Sequence, residues 1–464
     1  MTGWIILQWL IAHVELLIGF MVGIVLIAHV LTQKRSPSGT IAWLLAIILI
    51  PYIGVPLYLM FGGRKMKRTA AKKSATSLSR PSRRLDVPRT QVDELLESYG
   101  IPNATDGNRL EFLTDGQQIY HNLISLIDNA QHSIYISTFI FRPDEVGKEI
   151  RDRLVLKARR GLDVRVLLDG FGAIQTGRRF FVPLAEAGGK YAFFMHRLFR
   201  GRTNLRNHRK IVIVDNQTVL AGGANIGKEY LGPEPDPKRW QDLSFILKGP
   251  AVRSYLEIFH SDWAFTIGTD DVPAQAEPAG YYDSPNVAIV QVVPSGPDIP
   301  GDALYDAILT SLYNARHKIQ IITPYFIPDE PLLYALQLAV RRGVQVKIIV
   351  PAKSNHMIAD IVRRIYLREM LRVGAEIFFY TPTMIHAKTI LVDDTLVMIG
   401  SANMDSRSLF LNYEVMLITY SRPQITQIQT WMARIEKACI HCELKAGFMR
   451  TLFEHVIRLF SPLL

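Results

Sequence analysis

Two stretches of this chain repeat each other at a fixed offset, and the duplication limits the folds open to it more than any other feature. Gly116 to Glu145 aligns with Gly301 to Glu330 at an offset of 185, matching Tyr120 with Tyr305, Asn129-Ala130 with Asn314-Ala315 and Pro143-Asp144-Glu145 with Pro328-Asp329-Glu330. Further along, at an offset of 178, His208, Lys210, Asp215 and Gly222-Gly223-Ala224-Asn225 return as His386, Lys388, Asp393 and Gly400-Ser401-Ala402-Asn403. The chain is a tandem repeat. Each half reads helix, strand, helix, strand: Gln117 to Asn129, Ser133 to Ile140, a helix ending at Arg160-Gly161, and Asp163 to Leu168. The second half repeats this through Lys318 to Thr323, Leu332 to Arg342 and Gln345 to Val350. That alternation predicts an α/β fold with open-sheet connectivity.

The repeated motif has a mechanical reading. Ile211 to Val214 and Thr389 to Val392 are β-branched and apolar, which predicts buried strands whose side chains alternate faces. His208 and Lys210 then share one face, as do His386 and Lys388. Asp215 and Asp393 have the opposite parity and fall in turns before returning strands, Thr218 to Ala221 and Leu396 to Ile399, which reads as a structural role in β-hairpins. The returning strands bring small residues and an Asn back toward the His-Lys end, where a phosphate can approach the backbone. A lone His on an apolar strand is most often a satisfied core residue. Two His-Lys pairs at matched spacing point to chemistry instead. A lysine on the same face as each histidine opposes a bound cation, so no catalytic metal is expected.

Packed about a pseudo-twofold axis, the halves would bring His208 and His386 to opposite sides of one phosphorus, one to attack and the other to protonate the leaving oxygen. Lys210, Lys388, Asn225, Asn403 and Ser401 would cradle the non-bridging oxygens. Asp242 and Glu414, a short way after each motif, could hold the ring tautomers; an ordinary salt bridge is the competing reading for both.

At these residues the chain resembles a known family. The paired H-x-K-x4-D signatures look like the phospholipase D superfamily. The runs Leu168-Asp-Gly, Pro294-Ser-Gly-Pro-Asp, Thr323-Pro-Tyr-Phe-Ile-Pro-Asp-Glu and Gly400-Ser-Ala-Asn-Met-Asp-Ser-Arg-Ser-Leu-Phe-Leu-Asn-Tyr-Glu are similar to bacterial cardiolipin synthases, over essentially the whole chain. The resemblance implies a phosphatidyl-histidine intermediate passed to a second phosphatidylglycerol, giving cardiolipin and glycerol without a cofactor. It also counts Asp215 and Asp393 with the catalytic set, against the parity reading. Gly223 holds the place that Ser401 takes in the second half, so the halves are expected to bind phosphate unequally. A phospholipase using water, or a transferase using another alcohol or phosphatidylethanolamine, is the alternative.

The amino-terminal region favours a lipid substrate independently. Residues 1–63 read as a membrane hairpin: Trp4 to Leu31 is apolar apart from Gln8, His13, Glu15 and His29, and Ile41 to Phe61 is uninterrupted. As one helix, the second segment would span roughly 30 Å, although Pro51, Gly54 and Pro56 could kink it or make it re-entrant. Residues 64–108 form a basic linker. Arg64 to Arg89 carries ten Lys or Arg against Asp86 alone, nine of the chain's net +11 charges. The positive-inside rule then places the linker and all that follows on the cytoplasmic face of a bacterial inner membrane, beside anionic lipid. Its Ala, Ser and Thr between Thr69 and Ser79 also read as a solvated tail.

A second basic run, Arg197, Arg200, Arg202, Arg206 and Arg209, is expected to hold a phosphate head group at the site entrance. The same residues would serve nucleic acid, but the membrane hairpin argues against it. No Walker loop or dinucleotide fingerprint occurs, so no nucleotide is expected. The first half is assigned to 109–286, with Thr266 to Asn286 as connector, and the second to 287–464, ending in an amphipathic helix from Phe448. Cys439 and Cys442 lack the second pair a zinc site needs.

Overall fold

The structure, a computed structural model, describes residues 23–32, 37–61, 76–79, 90–195, 205–268, 287–441 and 447–458, with single positions 4, 9, 13, 21, 73, 280, 282 and 444. It divides into two compact units, one of residues 1–66 with 198–204 and one of 67–197 with 205–464.

In the larger unit the first half supplies seven strands: β1 (Thr105–Leu113), β2 (Ser133–Thr138), β3 (Asp163–Asp169), β4 (Lys190–Phe194), β5 (Ile211–Val214), β6 (Thr218–Gly222) and β7 (Ser244–Lys248). The second half supplies their counterparts: β8 (Ala288–Ser295), β9 (Lys318–Ile322), β10 (Gln345–Pro351), β11 (Glu376–Tyr380), β12 (Thr389–Val392), β13 (Leu396–Gly400) and β14 (Glu414–Thr419), with β15 (Cys439–His441) added at the edge. All join one sheet in the order β15-β11-β10-β9-β12-β13-β14-β8-β1-β7-β6-β5-β2-β3-β4. Leaving β15 aside, the order reads the same from either end, and the halves meet where β1 runs antiparallel to β8. The expected α/β repeat is therefore present, but the two halves share one sheet and do not form separate bodies. The strands are apolar on both faces because helices cover both, as in other buried sheets.

The repeated Pro-Asp-Glu has a local cause. Asp144 and Asp329 cap their helices, Glu145–Arg159 and Glu330–Arg341, accepting from Gly147 N at 2.9 Å and Leu332 N at 3.3 Å. Each helix runs back from the carboxyl ends of β2 and β9, which are the ends that face the histidines: Ser137 pairs with Ile211 and Ile322 with Thr389.

Two expectations change. The basic linker is not wholly a solvated tail: Lys73 and Leu78 are buried, Ser79 N donates to Glu257 at 2.8 Å, and Gln91–Ser98 is a helix packed on Ala303–Asn314. The folded region thus begins before residue 109. In the smaller unit the second apolar segment is broken at Ile50 into helices Pro37–Leu49 and Pro51–Phe61 of 13 and 11 residues. A Cβ on Gly54 would lie 2.1 Å from Ala46 O, so the second helix doubles back on the first. Leu26, Val30, Ile47 and Tyr58 form its small core. Among the described residues no helix is long and apolar enough to cross a membrane; much of the first apolar segment, and most of the connector 266–286, lie outside them. The terminal helix Phe448–Arg458 is present and packs on Met357–Val373, where Glu454 meets Arg368.

Candidate active site

Both histidines stand just before the short inner strands β5 and β12, and each is fixed by the opposite half. His208 N donates to Tyr413 O at 2.9 Å, and His386 N donates to Gln241 O at 2.7 Å. The next residue in each case is a carboxylate that takes the imidazole: Glu414 Oε2 lies 3.0 Å from His208 Nδ1, and Asp242 Oδ2 lies 2.7 Å from His386 Nδ1. Asp242 and Glu414 are fully buried. With Nδ1–H turned to the carboxylate, Nε2 is the ring nitrogen that faces away from it, and in His386 that nitrogen meets Lys388.

The lysines complete the center. Lys210 Nζ donates to His208 O at 2.7 Å, and Lys388 Nζ lies 2.9 and 3.0 Å from the two ring nitrogens of His386. Each lysine also acts on the other half's histidine. Burial pushes His208 down to about 4 and His386 to about 3, with Lys388 adding to the second shift. Burial likewise brings Lys388 down to about 8 and Lys210 well below the usual lysine range. Burial works against ionisation of Asp242 and Glu414 too, but their histidine and lysine neighbours outweigh it and hold both below the ordinary carboxylate range. The free site therefore presents neutral imidazoles among buried charges. Aromatic rings wall it: Phe139 meets His208 edge-on at 4.9 Å, and Tyr230 and Trp240 lie 5.3 and 5.5 Å from His386.

The Gly223–Ser401 difference has a steric explanation. A Cβ on Gly223 would come 2.1 Å from Asp242 Oδ1, so the short aspartate needs glycine there. In the second half Ser401 Oγ donates to Glu414 Oε2 at 2.5 Å and accepts from Val415 N at 3.0 Å. Ser401 is thus engaged in orienting the carboxylate. Asn225 Oδ1 accepts from Ile140 N at 3.1 Å and Asn403 Nδ2 donates to Ser408 Oγ at 3.2 Å, both beside the histidines' strands.

Asp215 and Asp393 are not brought to the site. They follow the far ends of β5 and β12, about 20 Å from the imidazoles at strand rise. Both adopt left-handed backbone, φ 52° and 51°, which Asp tolerates. Asp215 accepts from the backbone N of Gln131, His132 and Ser133, and Asp393 from Arg316, His317 and Lys318. Their place in the catalytic set is corrected by the strand geometry: they tie each hairpin turn to the start of β2 or β9.

Behind His208 lies a buried ionic cluster that the sequence did not disclose. Arg209, expected at the entrance, is fully buried and binds Asp262 through Nη1 at 2.7 and 2.8 Å, while its Nε donates to Glu414 O at 3.1 Å. Lys73 from the linker joins Asp262 and reaches Asp298 Oδ2 at 2.8 Å. The Pro294-Ser-Gly-Pro-Asp run was the available signal for Asp298. Arg206 stays near the site, and Arg197, Arg200 and Arg202 lie outside the described residues. Among the described residues no group of three or more His, Cys, Asp or Glu is arranged to hold a metal.

Paired histidines, each with a lysine and a carboxylate lent by the other half of a duplicated sheet, define a phospholipase D-like phosphoryl-transfer enzyme. The family described as "Cardiolipin synthase, PLD-like domain" matches residues 123–263 and 308–436, and a "Phospholipase_D-nuclease N-terminal" family matches 22–63. The chain is 34% identical to cardiolipin synthase 1 of Bacillus cereus over 93% of this chain and 90% of that one. It is 32% identical to the major cardiolipin synthase ClsA of Bacillus subtilis over 98% and 100%. The chain belongs to the bacterial cardiolipin synthase family of the phospholipase D superfamily. In fold it is also similar to the phosphatidylserine synthase of Haemophilus influenzae, with a TM-score of 0.63 at 19% identity, covering 81% of this chain and 100% of that one.

Proposed function

We propose that the protein condenses two phosphatidylglycerol molecules into cardiolipin and glycerol through a phosphatidyl-histidine intermediate. The observation that carries this reading is the reciprocal pairing of His208 with Glu414 and His386 with Asp242, with each histidine also within reach of the other half's lysine. In the first step Nε2 of one imidazole bonds to phosphorus and the P–O bond to glycerol breaks. The diester anion raises the pKa of the second imidazole, which as imidazolium gives its proton to the departing glycerol oxygen. In the second step that ring, now neutral, takes the proton from the glycerol hydroxyl of another phosphatidylglycerol. The new P–O bond forms and the N–P bond breaks. Lys210, Lys388, Asn225 and Asn403 stabilise the non-bridging oxygens. The halves are related by a pseudo-twofold axis between β1 and β8, and each supplies one ring to the reaction.

The smaller unit fits a membrane attachment. Its helices expose Ile41, Leu45, Ile48, Leu49, Ile50 and Tyr52, an apolar surface that water does not favour. The doubled-back segment Pro37–Phe61 suits a re-entrant hairpin, and by the positive-inside rule the basic residues after it favour a catalytic unit on the cytoplasmic side of a bacterial inner membrane. Anionic phospholipid is the partner in this reading, with no nucleotide and no nucleic acid. Purified full chain in proteoliposomes containing labelled phosphatidylglycerol alone should release glycerol and cardiolipin in equal amounts. Phosphatidic acid as the main product would overturn the transferase reading.

A further inference from the structure

In the larger unit exposed apolar side chains occur at several places, and two of these are equivalent in the two halves. Phe171 and Ile174 follow β3 and are 51% and 61% exposed; Met357 and Ile358, in the first turn of the helix reached by the loop after β10, the counterpart of β3, are 75% and 49% exposed. β3 and β10 run parallel to β2 and β9, whose carboxyl ends face the histidines, so both loops lie on the catalytic edge of the sheet. The first loop is latched to the site. A Cβ on Gly172 would meet Phe139 O at 2.1 Å, Phe139 touches His208, and Arg206 stacks on Phe171 at 4.7 Å. The second is latched likewise, since Tyr325 Oη donates to Asn355 Oδ1 at 2.5 Å and its ring lies 5.4 Å from His356. Exposed cations accompany each pair: Arg178 and Arg179 in the first half, Lys353 in the second.

We propose that these two loops are a docking rim that seats the mouth of the site on an anionic bilayer, Phe171, Ile174, Met357 and Ile358 entering the acyl boundary. Nothing in the core requires large apolar groups at these exposed positions, and placing them in water costs free energy that a lipid surface recovers. The adjoining arginines and lysine complement anionic head groups, which selects a phospholipid surface over an apolar protein partner. The duplication explains why the rim has two sides: each half supplies one loop to the single mouth. This inference rests on the phospholipid reading above, and its first test, by fluorescence quenching, does not depend on turnover.

The full chain, with Cys439 and Cys442 replaced by Ser, would carry one environment-sensitive fluorophore on a cysteine replacing Phe171, Ile174, Met357 or Ile358. Leu156 and Tyr313, exposed near the opposite edge of the sheet, serve as controls. In proteoliposomes containing brominated phosphatidylglycerol, rim labels should be quenched at least twofold more than the controls, and high salt should reduce the difference. Equal quenching at rim and control positions, or none at the rim, would overturn the proposal, as would rim labels shielded equally well in vesicles and in detergent, the outcome expected of a protein partner or a second copy. Ile174→Asp with Met357→Asp should lower the rate on vesicles about tenfold while leaving the rate on monomeric short-chain phosphatidylglycerol within twofold. A parallel fall on both substrates would assign the residues to folding.

Discussion

His386 Nδ1 lies 2.7 Å from Asp242 Oδ2, although 144 residues separate them and they belong to different halves of the duplication. The reverse pair, His208 with Glu414, closes the exchange. Each half is therefore incomplete without the other, and the carboxylates should orient the rings and bear none of the covalent chemistry. Asp242→Asn and Glu414→Gln are each expected to lower the single-turnover rate on the order of 10²-fold or more, with the fold retained. Stopped assays beside thermal melts check this; a full-rate variant would remove the carboxylate from the mechanism.

Because nucleophile and acid are both required, His208→Ala and His386→Ala should each abolish cardiolipin formation. Labelled lipid, quenched within one turnover by denaturation at neutral to mildly alkaline pH, where a histidine–phosphorus bond survives, should leave an adduct on wild type and none on the variant lacking the attacking ring. Substantial turnover in either variant contradicts the paired-histidine scheme.

Asp215→Asn and Asp393→Asn should act through stability. Each removes a carboxylate that accepts from three successive backbone N–H groups, at a cost of roughly 1–3 kcal/mol. Melting temperature should fall while turnover per folded molecule holds. A variant that melts like wild type yet forms no phosphatidyl-enzyme would return the residue to the chemistry.

The pH profile should show Lys388. Brought down to about 8 by burial, it carries its charge at neutral pH and loses it as pH rises through that value. The free-enzyme profile, kcat/KM, should therefore fall on the alkaline side with a midpoint near pH 8. Lys388→Arg keeps the cation, so its alkaline limb should move upward whatever its absolute rate. An unmoved limb would assign it elsewhere.

Lys73→Met should destabilise the larger unit by about 3–5 kcal/mol, the usual cost of leaving buried carboxylates without a partner. Asp262 and Asp298 would then rely on Arg209 alone among the cations seen here. Denaturant unfolding measures the loss, and Lys73→Met with Asp298→Asn should recover part of it. A neutral Lys73→Met would show that the linker does not brace the catalytic loop.

What the sequence determined by itself was whatever depends on short range or on repetition. The Ile211–Val214 and Thr389–Val392 runs fixed both hairpins within a residue, since β-branched strands and turns are local. Strand parity separated Asp215 and Asp393 from the His-Lys face, and the spacing of two motifs called for one site with two histidines. Tertiary structure alone decided the rest. Which carboxylate serves which histidine follows from the backbone bridges Asn207 to Tyr413 and Gln241 to Ile385, contacts between halves that no periodicity encodes. Arg209 left the basic run for Asp262, and Lys73 left the tail for the core, because a buried charge settles where its counter-charge is, and that place exists only once distant segments have packed.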